Sequence, residues 1–190
     1  MKEIRWHARA GQGAKTASQV LALALLRSGR YVQAFPDYGP ERSGAPMRAY
    51  TRLDDRAIRV RYGVTEPDLV VVLDPSLLGP DALAGLGPTG TLLVNAERPP
   101  EVETEARVVC VPATRIAAAA GSSYVNVVMA GAAAAALGEP PLEYVLAAAG
   151  AVLGKKLAPE ALEAIRAVIT AGHGALQQPA ATSGEVPCAA

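Results

Sequence analysis

Residues 68–74, Asp-Leu-Val-Val-Val-Leu-Asp, constrain this chain more than any other stretch. The run is apolar without alternation and closed at both ends by charge. A strand with one wet face alternates apolar and polar residues, so a strand apolar at every position has to be covered on both faces. That is the situation of a parallel sheet built with crossover connections, not of a sandwich built from hairpins. Residues 90–95 and 107–111 repeat the pattern. Residues 75–86 leave room for a short helix between the first two of these strands.

The beginning of the chain supplies a βαβ opening. Residues 3–9 alternate well enough for a strand, and Ala10-Gly11-Gln12-Gly13 breaks it. Residues 14–28 then run without Gly or Pro, with Val20, Leu21, Ala24 and Leu25 on one helical stripe and Gly29 at a C-cap position. Residues 31–35 read as a second strand. Residues 36–46 hold three prolines and two glycines and are predicted to be irregular. Residues 47–53 and 57–61 both alternate, with Asp54-Asp55 between them, and predict an antiparallel hairpin. The C-terminal third predicts helices over 113–120, 125–137, 142–153 and 159–171. Gly138, Gly154 and Pro159 serve as their punctuation. The predicted fold is α/β: a Rossmann-like, mostly parallel sheet with helices on both faces, an inserted β-hairpin and a helical C-terminal end. Residues 1–172 form one domain in this reading, and 173–190, small and proline-punctuated, form a tail or arm.

Composition narrows the function. The chain is 51% hydrophobic but only 4% aromatic, so its core has to come from Val, Leu, Ile and closely approaching Ala-rich helices. The formal net charge of zero argues against a dedicated nucleic-acid binder. The balance is uneven along the chain. Residues 1–61 carry twelve Lys and Arg against five Asp and Glu, and residues 62–190 carry six against thirteen. A one-sided field of this kind suits a phosphate-bearing cofactor or an acidic partner surface, although hairpin arginines also serve simply to solvate an outer face. Cys110 and Cys188 stand alone, His7 and His173 have no metal-ligand spacing, and no Cys pair has CxxC spacing, so no iron–sulfur or zinc site is expected on this chain. No secretory signal opens the chain, and the longest apolar stretch, residues 124–137, is short of a membrane span. A cytoplasmic protein with no membrane partner is expected.

Two segments carry the candidate chemistry. Gly11-Gln12-Gly13 precedes a helix whose first turn holds Lys15 and Thr16. A helix N-terminus presents unpaired N–H groups and the positive end of the dipole, and glycines admit an anion close to them. Gly11, Gln12, Gly13, Lys15 and Thr16 are therefore the candidate cofactor-binding residues. The dinucleotide fingerprint is incomplete, since Thr16 stands where its third glycine belongs and no acidic residue ends the second strand. A plain tight turn under the sheet accounts for the same spacing. The second segment is the 36–46 loop, where Arg42 is placed to meet a carboxylate, a phosphate or a partner chain. His7 is read as a strand histidine with an ordinary hydrogen bond, and Cys110 as a small core residue. Asp74 is read as either a ligand residue at a strand's carboxyl end or a cap for the turn after it. No catalytic triad, carboxylate pair or metal cluster can be assembled.

Ile4-Arg5-Trp6-His7-Ala8-Arg9-Ala10-Gly11-Gln12-Gly13, then Gln33-Ala34-Phe35-Pro36, then above all Gly39-Pro40-Glu41-Arg42-Ser43-Gly44-Ala45-Pro46, form a specific signature. Glu66-Pro67-Asp68, Asp74-Pro75 and the Asn126-led helix follow in order. Over residues 3–170 the chain resembles the gamma subunits of 2-oxoacid:ferredoxin oxidoreductases, most closely the pyruvate type. Ala8 and Ala10 stand where that family usually has glycine, and Ser43 where it often has a second Arg. The resemblance implies a non-catalytic, Rossmann-like gamma subunit that is inactive alone. It implies alpha, beta and delta-type partner subunits, with ferredoxin as the complex's electron acceptor. Thiamine diphosphate, magnesium and iron–sulfur clusters are expected on the partners, and this chain is expected to help form a coenzyme A site. A homodimer is one expected state of the isolated chain. The alternative is a stand-alone nucleotide- or coenzyme A-binding module, with an NAD-dependent dehydrogenase as a distant third.

Overall fold

The computed structural model describes residues 1–37, 44–154 and 157–176. Six strands form one sheet: β1 (Lys2–Arg9), β2 (Tyr31–Asp37), β3 (Pro46–Asp54), β4 (Leu69–Val72), β5 (Thr91–Asn95) and β6 (Arg107–Val111). Their order is β2-β3-β1-β4-β5-β6. β1, β4, β5 and β6 are parallel neighbours, whereas β3 runs antiparallel to both β1 and β2. The three unalternating runs are the three inner or outer parallel strands β4, β5 and β6, as predicted. The α/β class holds, and one detail is corrected. Residues 57–61 form no strand. β3 instead pairs with β2, so that the inserted hairpin is β2–β3, with β3 wedged between β2 and β1.

The helices are α1 (Ala14–Arg27), α2 (Pro80–Leu83), α3 (Ala113–Ala119), α4 (Val125–Leu137), α5 (Leu142–Leu153) and α6 (Pro159–Gly174), with a 3-10 turn at Pro75–Leu77. α6 runs three residues beyond its predicted end. The helices are distributed unevenly over the two faces. Ile4, Trp6 and Ala8 of β1, Ala49 and Leu53 of β3 and Leu69 and Val71 of β4 share one core with α1, α3, α4, α5 and α6. The opposite residues, Val70, Val72, Leu92 and Val94, cluster with the short α2 and its flanking loops, with Ala96 and Val102 of the β5–β6 connection, and with Val108 and Cys110 of β6.

Small residues set the spacing of the helical layer. α4 is apolar all round and buried over most of its length, as a central core helix must be. A Cβ added at its Gly131 would lie 2.4 Å from the Ile169 carbonyl oxygen, and one at Gly172 of α6 would lie 2.3 Å from that of Val128. The α4–α6 backbones are in contact, and glycine is what permits it.

The other face is closed differently. After β3, residues 55–68 cross β3 and β1 without regular structure before entering β4. Irregular backbone laid over a sheet must find hydrogen-bond donors. Arg52 (0% exposed) donates to the Tyr62 carbonyl at 2.7 Å, Arg5 (3% exposed) to that of Val64 at 3.4 Å, and Gln33 to that of Ile58 at 3.2 Å. Arg5 also reaches the carbonyls of Ala82 at 3.1 Å and Ala84 at 2.5 Å. The Arg52 guanidinium pairs with Glu3 at 2.5 Å and lies over the rings of Phe35 and Tyr62. Arg5 and Arg52 pin a strap to the sheet, whereas Arg48, Arg56, Arg59 and Arg61 are exposed and solvate an outer face.

Candidate functional site

The carboxyl ends of β1 and β4 carry the glycine turn. Gly11 and Gly13 both have positive φ (97° and 82°), which is why glycine stands at each. Gly11 opens onto free space. Gly13 has a second reason to lack a side chain: an added Cβ would meet the Asn126 amide nitrogen at 2.5 Å. That amide donates to the Gly13 carbonyl at 3.2 Å, tying the turn to the start of α4. The Asn126-led helix and the glycine turn, separate in sequence, are thus one structural unit.

Gln12 is fully engaged. Its Oε1 accepts from the Arg9 backbone N–H at 2.7 Å, and its Nε2 donates to Asp74 Oδ2 at 2.8 Å. Asp74 caps the 3-10 turn, accepting from the Ser76 backbone N–H at 3.0 Å and from its hydroxyl at 2.6 Å. It also pairs with Arg9 at 3.2 Å. Of the two roles left open for Asp74, the structure shows the cap. The Ser76 bonds hold its carboxyl below the usual range, with Gln12 and Arg9 adding to the effect. Arg9 is the hub that sequence reasoning passed over: it bonds the Ser76 hydroxyl at 2.9 Å and the Gly44 carbonyl at 3.1 Å. Its position at the end of β1 beside a glycine turn was the available signal.

The N-terminus of α1 has Gly13 as its N-cap, no side-chain cap and no acidic residue in its first turn. Lys15 is exposed and Thr16 half-buried on that turn. These features suit an anion. Gly11, Gln12, Gly13, Lys15 and Thr16 come together there, while Arg42 lies outside the described residues. The flanks of its loop, Asp37 and Gly44, both sit at this end of the sheet: Asp37 registers with Arg48, and Gly44 bonds Arg9.

His7 (6% exposed) sits on the strap face of β1, and its Nε2 accepts from Arg5 Nε at 3.1 Å. Burial, with Arg5 and Arg48 nearby, pushes its pKa down to about 4. The histidine is therefore neutral at pH 7. It lines a cavity of about 440 Å³ together with Arg48 and the segment from Ser76 to Asp81. Cys110 is half-buried against the smaller apolar cluster, and burial raises its thiol pKa. No helix among the described residues is long and apolar enough to cross a membrane.

Comparison with known proteins agrees with this architecture over nearly the whole chain. The family model for pyruvate ferredoxin/flavodoxin oxidoreductase matches residues 3–175. Pyruvate synthase subunit PorC of Thermotoga maritima is 45% identical over 177 residues, covering 90% of this chain and 92% of that protein. The pyruvate/ketoisovalerate oxidoreductases common subunit gamma of Thermococcus kodakarensis is 44% identical over 181 residues, covering 89% and 98%. The crystal structure of the Thermotoga maritima pyruvate oxidoreductase subunit PORC superposes with a TM-score of 0.79 at 41% identity, covering 90% of this chain and 94% of that one. With the match running from the first strand to the last helix, the chain belongs to the pyruvate ferredoxin/flavodoxin oxidoreductase family.

Proposed function

We propose that this chain is the non-catalytic gamma subunit of a multi-subunit, thiamine-diphosphate-dependent 2-oxoacid:ferredoxin oxidoreductase, with pyruvate the favoured acid. Such a complex converts 2-oxoacid, coenzyme A and oxidised ferredoxin to acyl-CoA, CO2 and reduced ferredoxin. The observation that carries this reading is the end-to-end similarity to PorC and to a common subunit gamma, each a subunit by its own name. It favours a subunit over a stand-alone binding module. Alpha, beta and delta-type partners, a cytoplasmic location, and thiamine diphosphate, magnesium and iron–sulfur clusters held by those partners belong to the same proposal.

The role we assign to this chain is to shape part of the coenzyme A site. Coenzyme A, when bound, supplies the thiol that carries away the acyl group. The N-terminus of α1 fits an anionic group, because no side chain caps it, no acidic residue stands in its first turn and the space beside Gly11 is open. Gly11, Gly13, Lys15, Thr16 and Arg42 would receive it. Gln12 would act on the turn's shape, since both ends of its amide are committed to Arg9 and Asp74.

Reconstitution tests the proposal. The chain alone should show no oxidation of pyruvate, and adding it to its partner chains should restore coenzyme A-dependent reduction of ferredoxin. Lys15→Ala in that assembly should raise the KM for coenzyme A with little change in that for pyruvate. Full activity of the partners without this chain would overturn the reading.

A further inference from the structure

The cavity beside His7 lies on the strap face and meets the glycine-turn network only through Ser76. Arg5 Nε–H is always a donor, so His7 Nε2, 3.1 Å away, must accept. The ring proton is therefore on Nδ1. Among the described residues that N–H has no protein acceptor, and the ring lines the cavity. Burial keeps the ring neutral at pH 7, so the donor persists without carrying charge.

Arg48 stands directly across the β1–β3 pair from His7 and lines the same cavity. Its ion pairing among the described residues is a single contact with Asp37 at 4.0 Å, and its side chain is nearly half exposed. The guanidinium thus keeps donors free. The rest of the wall is apolar at Met47, Leu77, Leu78 and Pro80 and polar at Ser76 and Asp81. The donors are one guanidinium and one neutral N–H, with Asp81 opposing any anion, so only the lower charge of a monoanion suits them. A phosphate dianion would meet too little positive charge and would face Asp81. The apolar wall asks for a ligand with a hydrocarbon portion.

We propose that this cavity binds a small carboxylic acid with a short apolar tail. Its carboxylate is held by the Arg48 guanidinium and the His7 Nδ1–H, and its tail lies against Leu77, Leu78 and Pro80. The site is independent of the coenzyme A reading above, and either can fail without the other.

The test is a titration of the full-length chain, 15N-labelled, with isovalerate at pH 7, read on the histidine ring nitrogens. Only His7 and His173 contribute, so His173 is the internal control. The expected result is a saturable shift of both His7 nitrogens with His173 unmoved. Acetate, lacking the tail, should bind at least about tenfold more weakly, and phosphate at matched ionic strength should give no saturable shift. Arg48→Gln should weaken isovalerate by about tenfold. No saturable His7 shift with isovalerate overturns the proposal, as does phosphate acting equally well, or acetate matching isovalerate. The three-ligand series on the unaltered chain decides the matter even if Arg48→Gln fails to fold.

Discussion

The two faces of the sheet are closed by opposite means. On the helical face, α1, α4, α5 and α6 pack through small apolar residues, with the α4 and α6 backbones touching at Gly131 and Gly172 and few polar side chains inside. On the strap face, residues 55–68 lie over β1 and β3, held by two buried arginines that spend their donors on backbone carbonyls. A dry, tightly packed layer is damaged by adding atoms. A polar layer held together by matched buried donors is damaged by removing them. The same chain therefore has one face sensitive to volume and one sensitive to charge, and the chemistry-bearing cavity lies on the second.

The largest expected effect comes from taking away a pin. Arg52→Ala leaves Glu3 without its partner and the Tyr62 carbonyl without its donor, beside a void under the strap. A loss of about 3–5 kcal/mol is expected in urea denaturation. A loss below about 1 kcal/mol would show that the strap is not held by this residue. Protonation should attack the same face. The folded-state pKa of His7, about 4, lies below its ordinary 6.5, so the unfolded chain takes up the proton first. Its contribution is complete above pH 6.5 and is lost as pH falls towards 4, by about 3 kcal/mol. Urea midpoints across that window should show the slope, and His7→Gln, which keeps an acceptor for Arg5 but takes up no proton, should flatten it.

The helical face should respond to one added methyl. Gly131→Ala puts a Cβ against the Ile169 carbonyl oxygen and should cost about 1–3 kcal/mol by forcing α4 and α6 apart. A melting temperature at or above that of the parent chain would mean that the layer is looser than its glycines imply. The smallest effect belongs to the turn that joins the faces. Gln12→Ala removes two partly exposed hydrogen bonds, to Arg9 and Asp74, and should cost about 1 kcal/mol. Hydrogen exchange should rise at the Arg9 amide and not on the helical face.

The two faces also differ in how far the sequence disclosed them. The unalternating runs at β4, β5 and β6, and the Ala-rich helices with glycine and proline at their ends, report burial directly, because apolar periodicity depends only on what is covered. The strap shows where that signal stops. Ile58 and Val60 are half-buried and Arg59 and Arg61 exposed, so the alternation of residues 57–61 is real, yet no ladder accompanies it. Alternation reports which side of an extended segment is wet, not whether the segment is hydrogen-bonded to a neighbour. The same gap concealed the burial of Arg52 and Tyr50 and the placement of β3 between β2 and β1, since both depend on a segment distant in sequence folding back over them. At the candidate site, the glycine turn was legible from backbone chemistry. The commitment of Gln12 to Asp74, 62 residues away, was not.

On this reading the chain works only as one subunit of a larger oxidoreductase. Native isolation with identification of co-purifying chains tests it most directly. The expected result is recovery in fixed stoichiometry with larger thiamine-diphosphate- and iron–sulfur-containing chains, in an assembly that oxidises pyruvate. Recovery solely as a free monomer or homodimer, with such an assembly purifying active without it, would contradict the claim.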